Sequence, residues 1–276
     1  MSLYPRLLPG FLALSLAGCV STDTPMTPVS SSAKINLSSS DAEIIGKKIW
    51  QNECGGTVDG LTSWNSGENF PSLGIGHFIW YPQGSQGPFD ESFPKLIVFM
   101  RQKGLNVPQW LVEAQGSPWV SRTQFMAEKN SPKMTELRSF LASTVSTQTD
   151  FIVYRLEQAL PKMKTATADQ ADKARLEENF YKVAGTRSGV YSLIDYVNFK
   201  GEGVKVEERY NGQGWGLRDV LLEMGPTTGG QSSVNEFSEA AKRVLQRRVK
   251  NSPPSRGESR WLSGWMNRCE GYKRGI

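Results

Sequence analysis

The sequence predicts an α+β protein that is mostly helix, with one small sheet near its N-terminal end. Three observations give that expectation. Beyond Glu91, apolar side chains recur at three- and four-residue steps, in segments stopped by glycine or asparagine. Strand-favouring residues gather after Pro71 as Leu73, Ile75, Phe78, Ile79 and Trp80, around the turn-forming Gly74 and Gly76. The composition, 38% hydrophobic and 21% charged over 276 residues, suits a soluble body with a sizeable core in one or two domains.

The first residues address the chain. Arg6 supplies a positive start, and Leu7 to Leu16 is an apolar run broken by Pro9 and Gly10. The run is too short and interrupted to span a bilayer, and residues 1–18 read as a cleaved signal peptide. The ending Leu16-Ala17-Gly18-Cys19 resembles a bacterial lipoprotein box, which implies a lipid on Cys19 and a membrane anchor without a spanning helix. Val20 in place of Asp favours, by analogy with such lipoproteins, the outer membrane facing the periplasm. Residues 19–38, rich in Ser, Thr and Pro, read as a flexible tether, leaving 39–276 as the folded domain.

A helix is expected from Ser40, with Glu43 completing a capping box, to about Cys54. Ala42, Ile45 and Ile49 form its apolar face, and Glu53 falls on that face one turn later. Gly55 and Gly56 then stop the helix. The small sheet follows, and then a loop from Tyr81 to Glu91. Further helices are expected near 94–103, 108–115, 121–129, 132–146, 149–164, 171–184 and 189–199. A last long one, capped by Ser233 with Glu236 at its third position, should run to about Lys250. Asp195 to Leu221 includes a Gly-rich loop carrying Asn198, Lys200, Glu202, Tyr210, Asn211, Gln213 and Trp215. Trp261 and Trp265, four residues apart, are expected to pack on the core.

The stretch from Glu53 to Pro82 carries the chemistry. An acid on a core-facing stripe is unusual, and partial burial disfavours its charged form, which suits a general acid near neutral pH. With the turn-rich run holding Asp59 and Glu68, and then Ser72-Leu73-Gly74-Ile75-Gly76-His77, this resembles the lysozyme-like superfamily, most closely the phage-type lysozymes. The likeness covers about thirty residues. It implies a lysozyme-like helical domain with Glu53 as catalytic acid and Ser72 in the hydroxyl position. Phage enzymes place the second acid nine residues after the first, with the hydroxyl residue six further on. Here Ser72 follows Glu53 by nineteen, so the second acid is Glu68 or Asp59. Chitosanases and goose-type lysozymes in the same superfamily also have longer spacings. His77, the one histidine, excludes a His-based triad; it is expected to have a structural role in the hairpin.

The resemblance therefore implies an enzyme that cleaves the glycan strands of peptidoglycan, a muramidase or a lytic transglycosylase, without metal or organic cofactor. A non-catalytic wall-binding lipoprotein and a chitosanase-like hydrolase are the alternatives. Flat rings and amides suit sugars, so Trp64, Trp80 and Tyr81 are candidates for the near wall of a glycan cleft. Asn198, Tyr210, Gln213 and Trp215 are candidates for the far wall. With Cys19 lipidated, Cys54 and Cys269 remain as a pair in an oxidising compartment, and a disulfide between them is expected. The formal charge of +5 is scattered apart from a cluster between Lys242 and Lys250, which reads as a solvated helix face and not a nucleic-acid stripe.

Overall fold

A computed structural model describes residues 34–276; the signal peptide, Cys19 and most of the tether lie outside the described residues. The described residues belong to one compact unit. It is mostly α, as the periodicity predicts, with two small antiparallel sheets where the sequence led to one. No helix among the described residues is long and apolar enough to cross a membrane.

Helix α1 (Ser39–Cys54) is capped two residues before the expected position. Ser38, not Ser40, is the N-cap, its hydroxyl accepting from the Asp41 amide. Ala42, Ile45 and Ile49 are buried, and Gly55 ends the helix at a φ of 63°, a left-handed conformation that glycine adopts without side-chain strain. A single 3-10 turn (Asp59–Leu61) leads into a three-stranded sheet of β1 (Thr62–Ser63), β2 (Ser72–Leu73) and β3 (Phe78–Ile79). Ser63 pairs with Ser72, and Ser72 with Ile79. The Gly74–His77 run is the turn between β2 and β3.

Trp80 packs at a tilt on Phe93, at 4.8 Å between ring centroids, and meets Trp119 edge-on, fixing the sheet to α2 (Phe93–Gln102) and the loops beyond it. Helices α3 (Gln109–Glu113), α4 (Arg122–Ala127) and α5 (Pro132–Ser143) follow. Helix α6 (Val145–Thr165) packs against α1, α2, α7 (Gln170–Ala184) and α8 (Arg187–Lys200). Its Phe151, Leu156, Leu160 and Met163 are buried, each such side chain stabilising the body by about 2 kcal/mol relative to exposure.

Several boundaries differ from the sequence reading. Helix α8 extends to Lys200, and the segment after it holds a hairpin of β4 (Arg209–Tyr210) and β5 (Gln213–Gly214), then α9 (Leu217–Glu223). Helix α10 (Gln231–Asn251) is capped by Gly230, not Ser233, which is buried inside the helix with its hydroxyl 2.7 Å from that of Thr227. A further helix, α11 (Ser259–Gly271), buries Cys269, while Trp261 is 42% exposed, so the expectation that this tryptophan packs into the core is wrong.

The expected disulfide does not form. Cys54 and Cys269 are both buried free thiols. The Cys54 Sγ lies 3.5 Å from the Gly74 carbonyl, turned toward the hairpin. Cys269 is in α11, where its carbonyl accepts from the Ser238 hydroxyl of α10. Burial pushes both thiols up to about 12, the form of a packed small hydrophobe and not of a reactive thiolate.

Candidate functional site

Glu53 stands in the last turn of α1, its side chain 30% exposed. The α1 apolar face holds it against the body, and the chain reversal at Gly55 and Gly56 brings the sheet back beside it. The hairpin turn then presents His77, whose Nδ1 is 3.8 Å from a Glu53 carboxylate oxygen. That distance is too long for a hydrogen bond. Burial pushes the imidazole below its usual value, against the attraction of Glu53 and Glu68, so His77 is neutral at pH 7.

Two features fix the turn. His77 itself has a φ of 47°, which few non-glycine residues adopt. At the opposite end, the Ile75 amide donates to the Gln148 Oε1 of α6 at 2.9 Å, while Gln148 Nε2 donates to the Leu141 carbonyl at 2.7 Å. A Cβ on Gly74 would strike the Gln148 amide oxygen and the Phe78 ring. The glycines of Gly-Ile-Gly-His therefore permit a close approach between hairpin and helix.

The structure separates the two candidate second acids. Glu68 lies on the β1–β2 loop, which Trp64 closes by donating its indole N–H to the Glu68 carbonyl at 2.8 Å. Its charge reaches His77, and one carboxylate oxygen is buried without a partner among the described residues. Asp59 is instead exposed and paired with Lys129 at 3.1 Å and Arg138 at 3.4 Å. Those cations, Lys129 foremost, hold its carboxyl below the usual range. Ser72 is buried in the middle strand, its carbonyl accepting from the Ser63 hydroxyl.

Of the residues expected to line a cleft, few do. Trp64, Trp80 and Tyr81 are buried at 5%, 2% and 3% exposure, packed on Phe125, Phe93 and Phe70; their faces are spent inside the body. Asn198 does face a groove, shared with Gly76 and Phe78 of the hairpin, Ile152 and Leu156 of α6, and Glu202. Tyr210 donates its hydroxyl to Glu258 at 3.0 Å, Trp215 is buried under the Arg248 guanidinium at 4.1 Å, and Gln213 accepts from Asn251 at 2.9 Å. These three support the β4–β5 hairpin and do not oppose Glu53.

A set of residues that the motif did not reveal gathers around Asn52, the neighbour of Glu53 in α1. Asn52 donates to the Tyr191 hydroxyl at 2.7 Å, and both border a cavity of about 420 Å³ with Asp195 and Arg268. Asp195, 5% exposed, accepts from Arg268 at 2.7 and 2.8 Å and from the Tyr272 hydroxyl at 2.7 Å. The charge of Glu53 reaches Arg268 and reinforces its protonation. The signal for this set was a lone aspartate within the apolar run Val190, Leu193, Ile194, Val197. A buried acid in such a run requires a cationic or hydroxyl partner from elsewhere in the chain. No family profile, curated protein or solved structure matches this chain.

Proposed function

We propose that this chain cleaves the glycan strands of peptidoglycan, with Glu53 as the general acid. The observation that carries the reading is the position of Glu53: partly shielded at a helix end, beside a neutral histidine, with a second carboxylate in electrostatic reach of that histidine. Glycosidic cleavage needs one carboxylic acid to protonate the leaving oxygen and a second carboxylate to stabilise the oxocarbenium-like transition state. Glu68 fits the second task better than Asp59, because its buried oxygen is unpartnered whereas Asp59 is neutralised by Lys129 and Arg138. In this scheme the Glu53 proton passes to the glycosidic oxygen as the C1–O bond breaks. Water completes hydrolysis, or the sugar's own 6-hydroxyl closes a 1,6-anhydro ring. The lipid on Cys19, in the outer membrane facing the periplasm, belongs to the same proposal, since it would hold the enzyme next to its polymer.

The test is digestion of peptidoglycan sacculi by the wild type and by Glu53→Gln, with mass analysis of the products. The amide keeps the shape and loses the proton, so cleavage should fall by about 10² to 10⁴ with the melting temperature little changed. Reducing ends would identify a hydrolase and anhydro ends a transglycosylase. Unchanged wall binding with no cleavage by either protein would leave the wall-binding alternative standing; cleavage of chitosan instead would favour the chitosanase-like one.

A further inference from the structure

Lys200, the last residue of α8, is wedged between two aromatic rings. Its Nζ is 3.4 Å from the Trp265 ring centroid and 4.0 Å from that of Phe199. The Arg268 guanidinium covers the same Phe199 ring at 4.5 Å, and Arg248 stands 5.1 Å from Trp265. The carboxylates nearby are already engaged. Asp195 takes Arg268 and Tyr272, while Glu258, its side chain fully buried, takes Arg248, Arg256 and Tyr210. Four cations thus face two carboxylates. Among the described residues Lys200 has its aromatic contacts but neither a hydrogen bond nor an ion pair. Arg268 binds Asp195 through Nε and Nη2, leaving Nη1 without a hydrogen-bond partner there.

Such a centre carries an excess of positive charge. An aromatic cage attracts an ammonium but cannot replace the hydrogen bonds lost with water. Burial first, and then the Arg248 charge, push Lys200 down to about 7, with Arg268 acting in the same direction and Glu258 and Cys269 against it. Arg268 joins this centre to the Asn52–Tyr191 cavity, which it borders, and feels the charge of Glu53.

We propose that Lys200 and Arg268, backed by Phe199 and Trp265, form a subsite for a carboxylate carried on the sugar chain that Glu53 acts on. The sugar carrier rests on the glycan-cleaving reading, whereas the anion chemistry does not. An ammonium and one free guanidinium nitrogen, both at the Phe199 ring, are donors of the kind that a carboxylate accepts from, and the half-exposed Trp261, stacked at 6.2 Å on Trp265, offers a ring face beside Trp265.

The experiment compares two disaccharides that differ by this group, N-acetylglucosaminyl-N-acetylmuramic acid and di-N-acetylchitobiose, with D-lactate as a third probe. Binding to the full chain is measured by calorimetry, and the Lys200 side-chain resonance is followed by NMR. At pH 6 the acid-bearing disaccharide should bind on the order of tenfold more tightly than the neutral one. The gap should close above pH 8 as Lys200 discharges. Lys200→Met should remove it at every pH, and Lys200→Arg should retain it at pH 8. Equal affinities in the wild type, or a gap that survives Lys200→Met, would overturn the subsite. If neither disaccharide binds but D-lactate still raises the titration midpoint of Lys200, the anion site stands and the sugar carrier is wrong. Absence of both responses overturns the site itself.

Discussion

The imidazole of His77 links the two carboxylates on which the proposed chemistry depends. Held neutral by burial, it neither neutralises Glu53 as a salt bridge would nor competes with it as a strong proton donor at pH 7. This has a measurable consequence. The folded-state pKa lies below the unfolded value of 6.5, so the unfolded chain binds the proton more readily. Stability from keeping His77 neutral is complete above that value and is lost as the pH falls through the depressed folded one. His77→Asn tolerates the positive φ and removes the titration. Its melting temperature should therefore fall less than that of the wild type between pH 7 and 5 in parallel thermal scans. Equal losses would mean that His77 does not titrate differently on folding. At this scale Glu53 was legible because helical spacing and a double glycine define its position. The choice between Glu68 and Asp59 was not, because it depends on Lys129 and Arg138, which are remote in sequence.

Among elements, the β2–β3 turn and α6 act as one unit. Gln148 is fully buried and satisfies the Ile75 amide with its oxygen and the Leu141 carbonyl with its nitrogen. Gln148→Leu keeps the volume but leaves the Ile75 amide buried without an acceptor, a loss of about 1–3 kcal/mol. We expect that loss in urea unfolding, together with a fall in the proposed glycan cleavage, since the same turn positions His77. An unchanged stability would show that the turn finds another acceptor. The Gly-Ile-Gly-His pattern foretold a hairpin but not its partner, because pairing between a turn and a distant helix leaves no local period. Helix α11 differs: after the break at Pro253 and Pro254, Trp261, Leu262, Trp265, Met266 and Cys269 recur at helical spacing in SRWLSGWMNRCEG, so its stripe was legible in the sequence although only Cys269 is buried. The β4–β5 hairpin was obscured by its glycines. A Cβ on Gly214 would run into the Asp219 carboxylate, and one on Gly216 into the Gly203 backbone, so these residues serve close packing and not looseness.

Across the whole molecule, the C-terminal segment returns to the region of α1, where it forms one side of the cavity bordered by Asn52 and Tyr191. A Cys54–Cys269 bridge was the expected fastening, yet the thiols are separate and buried. The task falls to polar clasps. Arg187 of α8 holds Asp41 of α1 at 3.1 Å and the Ile276 carbonyl at 2.7 Å, and Asp195 of α8 holds Arg268 and Tyr272. Sequence could indicate that something closes the chain here, since buried acids need partners, but not which groups do so. The second clasp is the one that should matter for that cavity, because Arg268 borders it. Asp195→Ala leaves Arg268 without its carboxylate and Tyr272 with an unpaired buried hydroxyl. Breaking a buried pair costs about 3–5 kcal/mol; because Arg268 keeps 37% of its side chain exposed, the lower end applies. Urea unfolding should show a loss near that figure, and amide exchange should rise in α11 more than in α1. If stability fell while exchange rose evenly along the chain, Asp195 would be a general core residue and not a clasp on α11.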